Sequence, residues 1–378
     1  MSTALIHPEA VLHDALQDLC TPLFASLRRS DQRRRGTEYI HGLLSTHGRK
    51  SIRNMAALIG GSSTGQSLHH FICSSTWDWI PVRRAMAEYL MRSAPPQAYV
   101  ARPMTIPKVG RHSVGVSRYF SADEGQALNA QRAIGVWGVA DTVTAPLNWR
   151  LFLPQVWIKD GLRRNQASIP YAAEPETISD GVLTACRESL VDWELPPLPV
   201  VVDIDEADPV ATVLGLHAQG LPSMVRVHGE LPLCVNDPAL TGHSARRMTA
   251  PEIMQAARAL FRPVARTALV ASVGVRVPGT GPGGAPLSLV GITAPGRREP
   301  AELWLTDLPH PTAAALRLTG FARRVDQDFD GVTAQVGIRD YVGRSYSGWH
   351  RHTTLASAAH AVSVLSGVGA APQLRQAS

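Results

Sequence analysis

The fold of this chain is constrained first by a run of β-branched residues, Leu198-Pro199-Val200-Val201-Val202. A continuous run of this kind is typical of a strand that is buried on both faces, as in parallel sheets covered by helices. A helix is predicted next over 209–219 and a second strand over 223–227, which together make a β-α-β crossover. The sequence therefore predicts an α/β core with 198–202 as its central strand.

Residues 1–95 carry helical patterns. Ser51 is the predicted N-cap of a helix that the glycine-rich segment 60–65 ends, and a short second helix is predicted over 68–72. Another amphipathic helix is predicted over 77–91. Helix, tight turn and helix together indicate a helix-turn-helix-like domain. The segment holds eleven Lys/Arg against seven Asp/Glu, and so carries +4 of the total formal charge of +6.

The remainder of the chain is divided by strand patterns and by one long Gly/Pro-rich loop. Three successive strands of a meander and an edge strand are predicted at 97–100, 113–120, 132–140 and 149–153. The loop 278–286 joins two strands, 269–277 and 287–292, in a predicted β-hairpin. The predicted domains are a helical, helix-turn-helix-like domain at 1–95, a core at 96–228 and 303–366, an insertion with the hairpin at 229–302 and a flexible tail at 367–378.

Composition excludes several classes of protein. With 44% hydrophobic and 18% charged residues, the chain is neither disordered nor a coiled coil. Its four cysteines are far apart and form no Cys-x-x-Cys pair, which excludes a zinc ribbon and disfavours a disulfide framework. Long apolar runs and a signal-peptide pattern are missing, so no membrane association is expected and a cytoplasmic location is predicted. The basic excess suits a polyanionic partner, although the preference for arginine over lysine is also typical of a GC-rich genome.

Two acidic clusters are candidates for chemistry. Asp203, Asp205, Glu206 and Asp208 follow the central strand, and a late amphipathic helix carries Asp326, Asp328 and Asp330. The carboxyl end of a central strand is where α/β folds place their sites, and a helix that crosses the sheet would bring Asp326 beside Asp203. Carboxylates from separate elements can hold two Mg²⁺ ions for phosphoryl transfer. The alternative is that these are solvated surface acids.

Several longer motifs make the chain resemble insertion-sequence DDE transposases with a ribonuclease-H-like catalytic core, in a branch frequent in actinobacteria. The similarity extends from about residue 22 to 365. It rests on Arg49-Lys50-Ser51-Ile52, Leu68-His69-His70-Phe71, Ser75-Thr76-Trp77-Asp78-Trp79, Pro107-Lys108, Gly110-Arg111-His112-Ser113-Val114-Gly115-Val116, Leu147-Asn148-Trp149-Arg150-Leu151-Phe152-Leu153-Pro154, Trp304-Leu305-Thr306-Asp307-Leu308-Pro309, Gly343-Arg344-Ser345 and Gly348-Trp349-His350-Arg351-His352. The resemblance implies a ribonuclease-H-like mixed sheet flanked by helices, and DNA as a partner.

The catalytic positions depart from the family pattern. The family's first aspartate, which precedes a Phe-Pro-Lys segment, is missing from the stretch 101–108, and Arg102 stands there instead. The second aspartate is matched by Asp203, and the glutamate of the late helix is matched by Asp326. The family's lysine seven residues further on is matched by Thr333, which a regular helix would place on the face of Asp326.

An arginine at a metal-ligand position has a definite electrostatic consequence. Its fixed positive charge would pair with Asp203 or Asp326 and repel Mg²⁺, so we predict no bound metal, no cofactor and no strand transfer unless Asp205 or Asp330 substitutes for the missing acid. The chain would then be a catalytically degenerate, domesticated DNA-binding protein. Basic residues expected to contact phosphates are Arg34, Arg35, Arg49, Lys50, Arg53 and Lys108.

Two other interpretations remain open at this stage. In the first, the former nuclease crevice performs metal-free acid/base chemistry on a small-molecule substrate, with Arg102, Asp203, Asp205, Asp326 and His112 as candidate catalytic residues. In the second, the gene is a decaying remnant without a selected role. His112 is also compatible with a purely structural hydrogen bond, and a homodimer is compatible with the sequence.

Overall fold

The N-terminal part of the chain consists of helices, as predicted. A computed structural model describes residues 8–121, 125–243, 246–280, 284–297 and 300–367, so that the predicted tail lies, apart from Gly367, outside the described residues. The first helices are α1 (Pro8–Leu23), α2 (Ser30–Ser45), α3 (Ile52–Ile59), α4 (Ser62–Cys73) and α5 (Trp79–Ser93). The Ser51 hydroxyl accepts a hydrogen bond from the backbone N–H of Asn54 at 3.2 Å, which confirms the predicted cap of α3.

The turn between α3 and α4 is shorter than the sequence suggested. Helix α4 begins at Ser62 rather than at Leu68, because Gly61 alone takes the left-handed backbone conformation (φ +82°) that ends the preceding helix. The other small residues up to Gly65 continue into α4. Gly60 and Gly61 are the whole connection between the two helices, and the helix-turn-helix-like domain stays a prediction.

The next elements are four strands and two short helices. They are β1 (Ala98–Pro107), β2 (Ser117–Ser121), β3 (Gln126–Val139), β4 (Thr144–Leu151), α6 (Gln155–Lys159) and α7 (Gly161–Gln166). Strand β3 pairs antiparallel with β2 and with β4, so the meander consists of β2, β3 and β4. The predicted meander order was wrong, because β1 is not paired with β2 but lies on the other side of β3.

The central strand is confirmed. The elements that follow are α8 (Ile178–Cys186), β5 (Val200–Val202), α9 (Pro209–Ala218), β6 (Ser223–Arg226), β7 (Pro232–Val235), β8 (Arg247–Thr249), α10 (Ala250–Ala256), β9 (Arg262–Ala265), β10 (Ala268–Arg276), β11 (Leu287–Thr293), β12 (Glu302–Thr306), α11 (Pro311–Asp328) and α12 (Tyr346–Leu365). All three residues of β5 are buried, and β5 is parallel to both β1 and β6. Helix α9 makes the β-α-β crossover between β5 and β6.

The chain forms two compact units. Unit 1 comprises the residues up to Pro96, Pro103–Glu176 and the residues from Val325 onward, and unit 2 comprises Gln97–Arg102 and Thr177–Arg324. The strand order in unit 2 is β1-β5-β6-β12-β11-β10-β7-β8, with β9 on β10. The predicted hairpin of β10 and β11 is confirmed, and through β12 it extends the same sheet as β6. The functional division into domains predicted from the sequence stays a prediction.

Helix α11 ends in a wider turn that the sequence pattern did not reveal. Residues Phe329–Thr333 form a π-helical turn, in which one extra residue per turn rotates everything that follows. The apolar side chains of this late amphipathic helix are nonetheless buried both before and after the turn, at Leu318, Val325, Phe329, Val332 and Val336. Among the described residues, no helix is long and apolar enough to cross a membrane.

Candidate functional site

The carboxyl ends of β5 and β6 in unit 2 carry a cluster of ionisable side chains. Asp203 follows β5 directly, Arg226 is the last residue of β6, and His228 lies two residues further on. Because β5 and β6 are parallel neighbours with Val202 paired to Val225, their following residues emerge at the same edge of the sheet. Ile204 is buried between them, so the side chains of Asp203 and Asp205 point away from the core.

Asp203, Asp205 and His228 form what we call the carboxylate–imidazole cluster. The His228 Nε2 atom lies 3.3 Å from Asp203 Oδ1 and 3.0 Å from Asp205 Oδ1. One ligand atom from each of the three side chains lies within 4.8 Å of the others. The cluster is open to solvent, since the side chains of Asp203, Asp205 and His228 are 38%, 81% and 37% exposed.

A second layer of charged residues supports this cluster from β6 and β12. Arg226 Nη1 lies 3.7 Å from Asp203 Oδ2 and 3.3 Å from Glu302 Oε2, and its guanidinium stacks 5.1 Å from the ring centre of Trp304. Arg323 pairs with the other oxygen of Glu302 at 2.5 Å. Asp203 is thus approached by a guanidinium on one oxygen and by an imidazole on the other, an arrangement that fixes its orientation.

Strand register places Arg102 next to Asp203. Strands β1 and β5 are parallel, and their last paired residues are Ala101 and Val202. Arg102 and Asp203 are the residues that follow this pair, so their backbone positions are neighbours where β5 ends, although β1 continues to Pro107. Arg102 is half-buried. The position where the resemblance places the family's first aspartate therefore holds an arginine, on the strand next to the second aspartate.

The acids of the late helix belong to unit 1. Asp326 is exposed on α11, and Asp330 is exposed within the π-helical turn and pairs with Arg339 at 3.2 Å. Thr333 is fully buried, and its hydroxyl lies 3.0 Å from His360 Nδ1. The expectation that Thr333 shares a face with Asp326 was wrong, because the π-helical turn between them rotates the helix surface.

The donors at the strand ends do not fit the pair of magnesium ions that the resemblance implies. Magnesium prefers octahedral oxygen ligands, and two-metal sites need carboxylates at each position. Here one position holds the Arg102 guanidinium, and the group nearest to Asp203 and Asp205 is the His228 imidazole. We therefore assign no step of phosphoryl transfer to these residues.

The predicted phosphate-contacting residues differ strongly in exposure. Arg34, Arg49 and Arg53 are exposed. Arg35 is 24% exposed and pairs with Glu38 at 2.6 Å. Lys50 is only 7% exposed. Its ammonium bonds the Thr46 carbonyl, and its backbone N–H donates to Asp340 at 2.7 Å.

The surroundings lower the pKa values of the two lysines among these residues, Lys50 and Lys108. Burial lowers the pKa of Lys50, and the neighbouring Asp340 carboxylate opposes this in part. Burial, and to a lesser extent the Arg49 charge, lowers the pKa of Lys108 to about 8. The Lys108 ammonium donates to the Tyr341 carbonyl at 2.7 Å. Lys50 is thus a structural residue in this fold, while Lys108 keeps a partly open position.

Two adjoining cavities of unit 1, which we call the basic cleft, gather several of these residues. The larger cavity has a volume of about 1160 Å³, and its cationic lining residues are Arg49, Lys50, Lys108 and Arg339. The smaller cavity, of about 650 Å³, is lined by Arg111, His112, Arg163 and Arg344. Gly110 lines both cavities. His112 therefore lies among arginines of unit 1, whereas Asp203 belongs to unit 2.

Sequence reasoning missed His228, Arg226 and Glu302 in unit 2, and Arg111, Arg163 and Arg344 in unit 1. His228 could have been found, because it follows the second strand of the crossover just as Asp203 follows the first. Glu302 begins a strand of the predicted insertion, and no local pattern connects it with Asp203. The three arginines come from separate loops and helices, so only the folded chain brings them together.

Two comparisons with known proteins bear on this site. The family model of the DDE superfamily endonucleases matches residues 22–273. The probable transposase for insertion sequence element IS701 of Microchaete diplosiphon is 28% identical over 147 residues, which cover 37% of this chain and 35% of that protein. The match thus spans about a third of the relative's length. Arg102 and Asp203 lie inside the family match, and Asp326 lies beyond its end.

The family match covers well over half of the chain, including the central strand that leads into Asp203. The mixed sheet with flanking helices is consistent with the ribonuclease-H-like core that the resemblance implied. The chain belongs to the DDE superfamily endonucleases and is related to insertion-sequence transposases.

Proposed function

We propose that this chain is a transposase-derived DNA-binding protein that does not perform strand transfer. The observation that carries the proposal is the register of β1 and β5, which puts the backbone of Arg102 next to that of Asp203 where β5 ends. An arginine at this position removes one of the three carboxylates that a pair of magnesium ions needs, and its fixed positive charge disfavours a second divalent ion there. The loss of one metal ligand and the gain of a positive charge both weaken the binding of a pair of magnesium ions.

The basic cleft supports retention of DNA binding. It presents Arg49, Lys108, Arg111, Arg163 and Arg344 around two adjoining cavities, and its acids are in part engaged, since Asp160 pairs with Arg163 at 3.2 Å. Arginine forks suit phosphate oxygens, which dominate the affinity of proteins for DNA. The relative's description as a probable transposase agrees with a DNA partner.

The alternative of a repurposed small-molecule enzyme is not favoured by the exposure of the cluster. Acid/base chemistry near neutral pH needs carboxyl groups whose pKa is raised by burial. Asp205 is 81% exposed and Asp203 is 38% exposed, so solvent reaches both carboxylates. The cytoplasmic location and a homodimer, both predicted from the sequence, stay predictions.

Two assays on the full chain test the proposal. In a gel shift at low salt, random-sequence duplex DNA should be retained, and retention should weaken steeply as salt rises. In a plasmid-nicking assay with Mg²⁺ or Mn²⁺, the wild-type chain should leave supercoiled DNA intact. Absence of any retained duplex would eliminate DNA binding. Nicking by the wild type that disappears in Asp203→Asn would show an active nuclease and overturn the claim of lost strand transfer.

A further inference from the structure

The carboxylate–imidazole cluster has the geometry of a site for a single metal ion. An ion bound by nitrogen and oxygen at about 2.1 Å holds two such ligand atoms about 3.0 Å apart in octahedral geometry and about 3.4 Å apart in tetrahedral geometry. The two distances from His228 Nε2 to the carboxylate oxygens, 3.0 and 3.3 Å, span this range. The imidazole nitrogen therefore lies at a suitable distance from each carboxylate oxygen, and all three ligand atoms lie within 4.8 Å of one another.

The chemistry of the donors selects the kind of ion. One imidazole nitrogen and two carboxylate oxygens are a mixed set that suits Zn²⁺, which commonly takes three protein ligands and leaves a position for water. Magnesium would exchange water for nitrogen reluctantly. The exposure of Asp205 leaves a direct route for an ion from solvent.

The surroundings help to orient Asp203, because Arg226 and His228 approach different oxygens of its carboxylate. Arg226 approaches Asp203 at Oδ2, whereas His228 approaches it at Oδ1. Arg226 is itself fixed by Glu302 and by the face of Trp304. Orientation of a ligating carboxylate through its second oxygen is the usual role of the outer layer of a metal site.

We infer that Asp203, Asp205 and His228 bind one zinc ion at the carboxyl ends of β5 and β6. This site differs from the two-magnesium centre that the family resemblance implies, because two of its ligands, Asp205 and His228, are not among the family's three acids. It is independent of DNA binding, since it lies in unit 2 while the basic cleft lies in unit 1.

Direct binding of Zn²⁺ to the full chain, measured by equilibrium dialysis with metal analysis, tests the inference without any activity assay. The wild type should bind one zinc ion that His228→Asn and Asp205→Asn each weaken at least about 10-fold. Both residues are exposed enough that the variants should keep their far-UV circular dichroism. Mg²⁺ at the same concentration should compete poorly.

His217→Asn is the matched control. His217 is 47% exposed and pairs with a single aspartate, Asp307, at 2.7 Å, so it reproduces the exposure and the ion pair of His228 without a third ligand. Zinc affinity should be unchanged in this variant. The inference is overturned if the wild type binds no zinc, if the control loses as much affinity as His228→Asn, or if two ions bind together in dependence on Asp203. The last result would also contradict the proposed loss of the nuclease centre, whereas the first two would leave the proposed DNA binding untouched.

Discussion

Arg49 and Lys50 are both predicted from the sequence to contact phosphates, but the salt dependence of DNA binding should show that only Arg49 does. Arg49 is exposed and lines the basic cleft, whereas Lys50 is 7% exposed and bonds the Thr46 carbonyl. Each neutralised phosphate contributes about −0.9 to the slope of log affinity against log salt. Arg49→Gln should therefore flatten the slope by about 0.9, and Lys50→Met should leave it unchanged.

The magnitude follows from this slope. Between 50 and 200 mM salt, the ratio of wild-type to Arg49→Gln affinity should fall about 3.5-fold, because a fourfold rise in salt acts through an exponent of about 0.9. For Lys50→Met the ratio should stay constant. Fluorescence anisotropy titrations of a labelled duplex at four salt concentrations would measure both ratios. Thermal melts would confirm that Lys50→Met is folded under the assay conditions. A flatter slope for Lys50→Met together with an unchanged slope for Arg49→Gln would refute the use of exposure to identify the phosphate contacts.

Three further predictions concern buried or half-buried groups of unit 1. Arg83 is 1% exposed and donates to acceptors on β4 and α12, among them the Trp149 carbonyl at 2.7 Å. Arg83→Met should lower the free energy of unfolding by roughly 3–5 kcal/mol in urea titrations, and a loss below about 1 kcal/mol would contradict this network. Burial lowers the pKa of His352 to about 4, so this group remains neutral in the fold but gains a proton on unfolding. The free energy of unfolding should therefore be unaffected by this group above pH 6.5, the unfolded pKa, and should fall by about 3 kcal/mol as the pH is lowered from 6.5 through 4. Urea titrations of His352→Gln should lack this part of the pH dependence. Because the pKa of Lys108 is lowered to about 8, its labelling by an amine-reactive reagent, followed by peptide mass mapping, should rise half-maximally near pH 8, and a midpoint above 10 would contradict it.

The parts of the fold that the sequence predicted are those with strong local signals. The β-branched run at 200–202 forms a buried central strand because such residues fill both faces of a covered sheet. Ser51 caps its helix because a short side-chain oxygen satisfies an otherwise unpaired N–H. These effects act within a few residues, so no knowledge of the tertiary structure was needed.

The parts that the sequence did not predict depend on distant contacts. Helix α12 escaped prediction because its middle is polar yet buried, with Arg351 donating to the carbonyls of Ile72 and Trp77. His352 is likewise satisfied by the Tyr39 hydroxyl on one nitrogen and the Gly337 carbonyl on the other. Polar residues are usually exposed, so the sequence alone predicts an exposed position for a polar residue whose buried hydrogen-bond partners are distant in the chain. Thr333 is also buried, although a regular helix would place it on the exposed face of Asp326, because the π-helical turn after α11 changes the direction of its side chain.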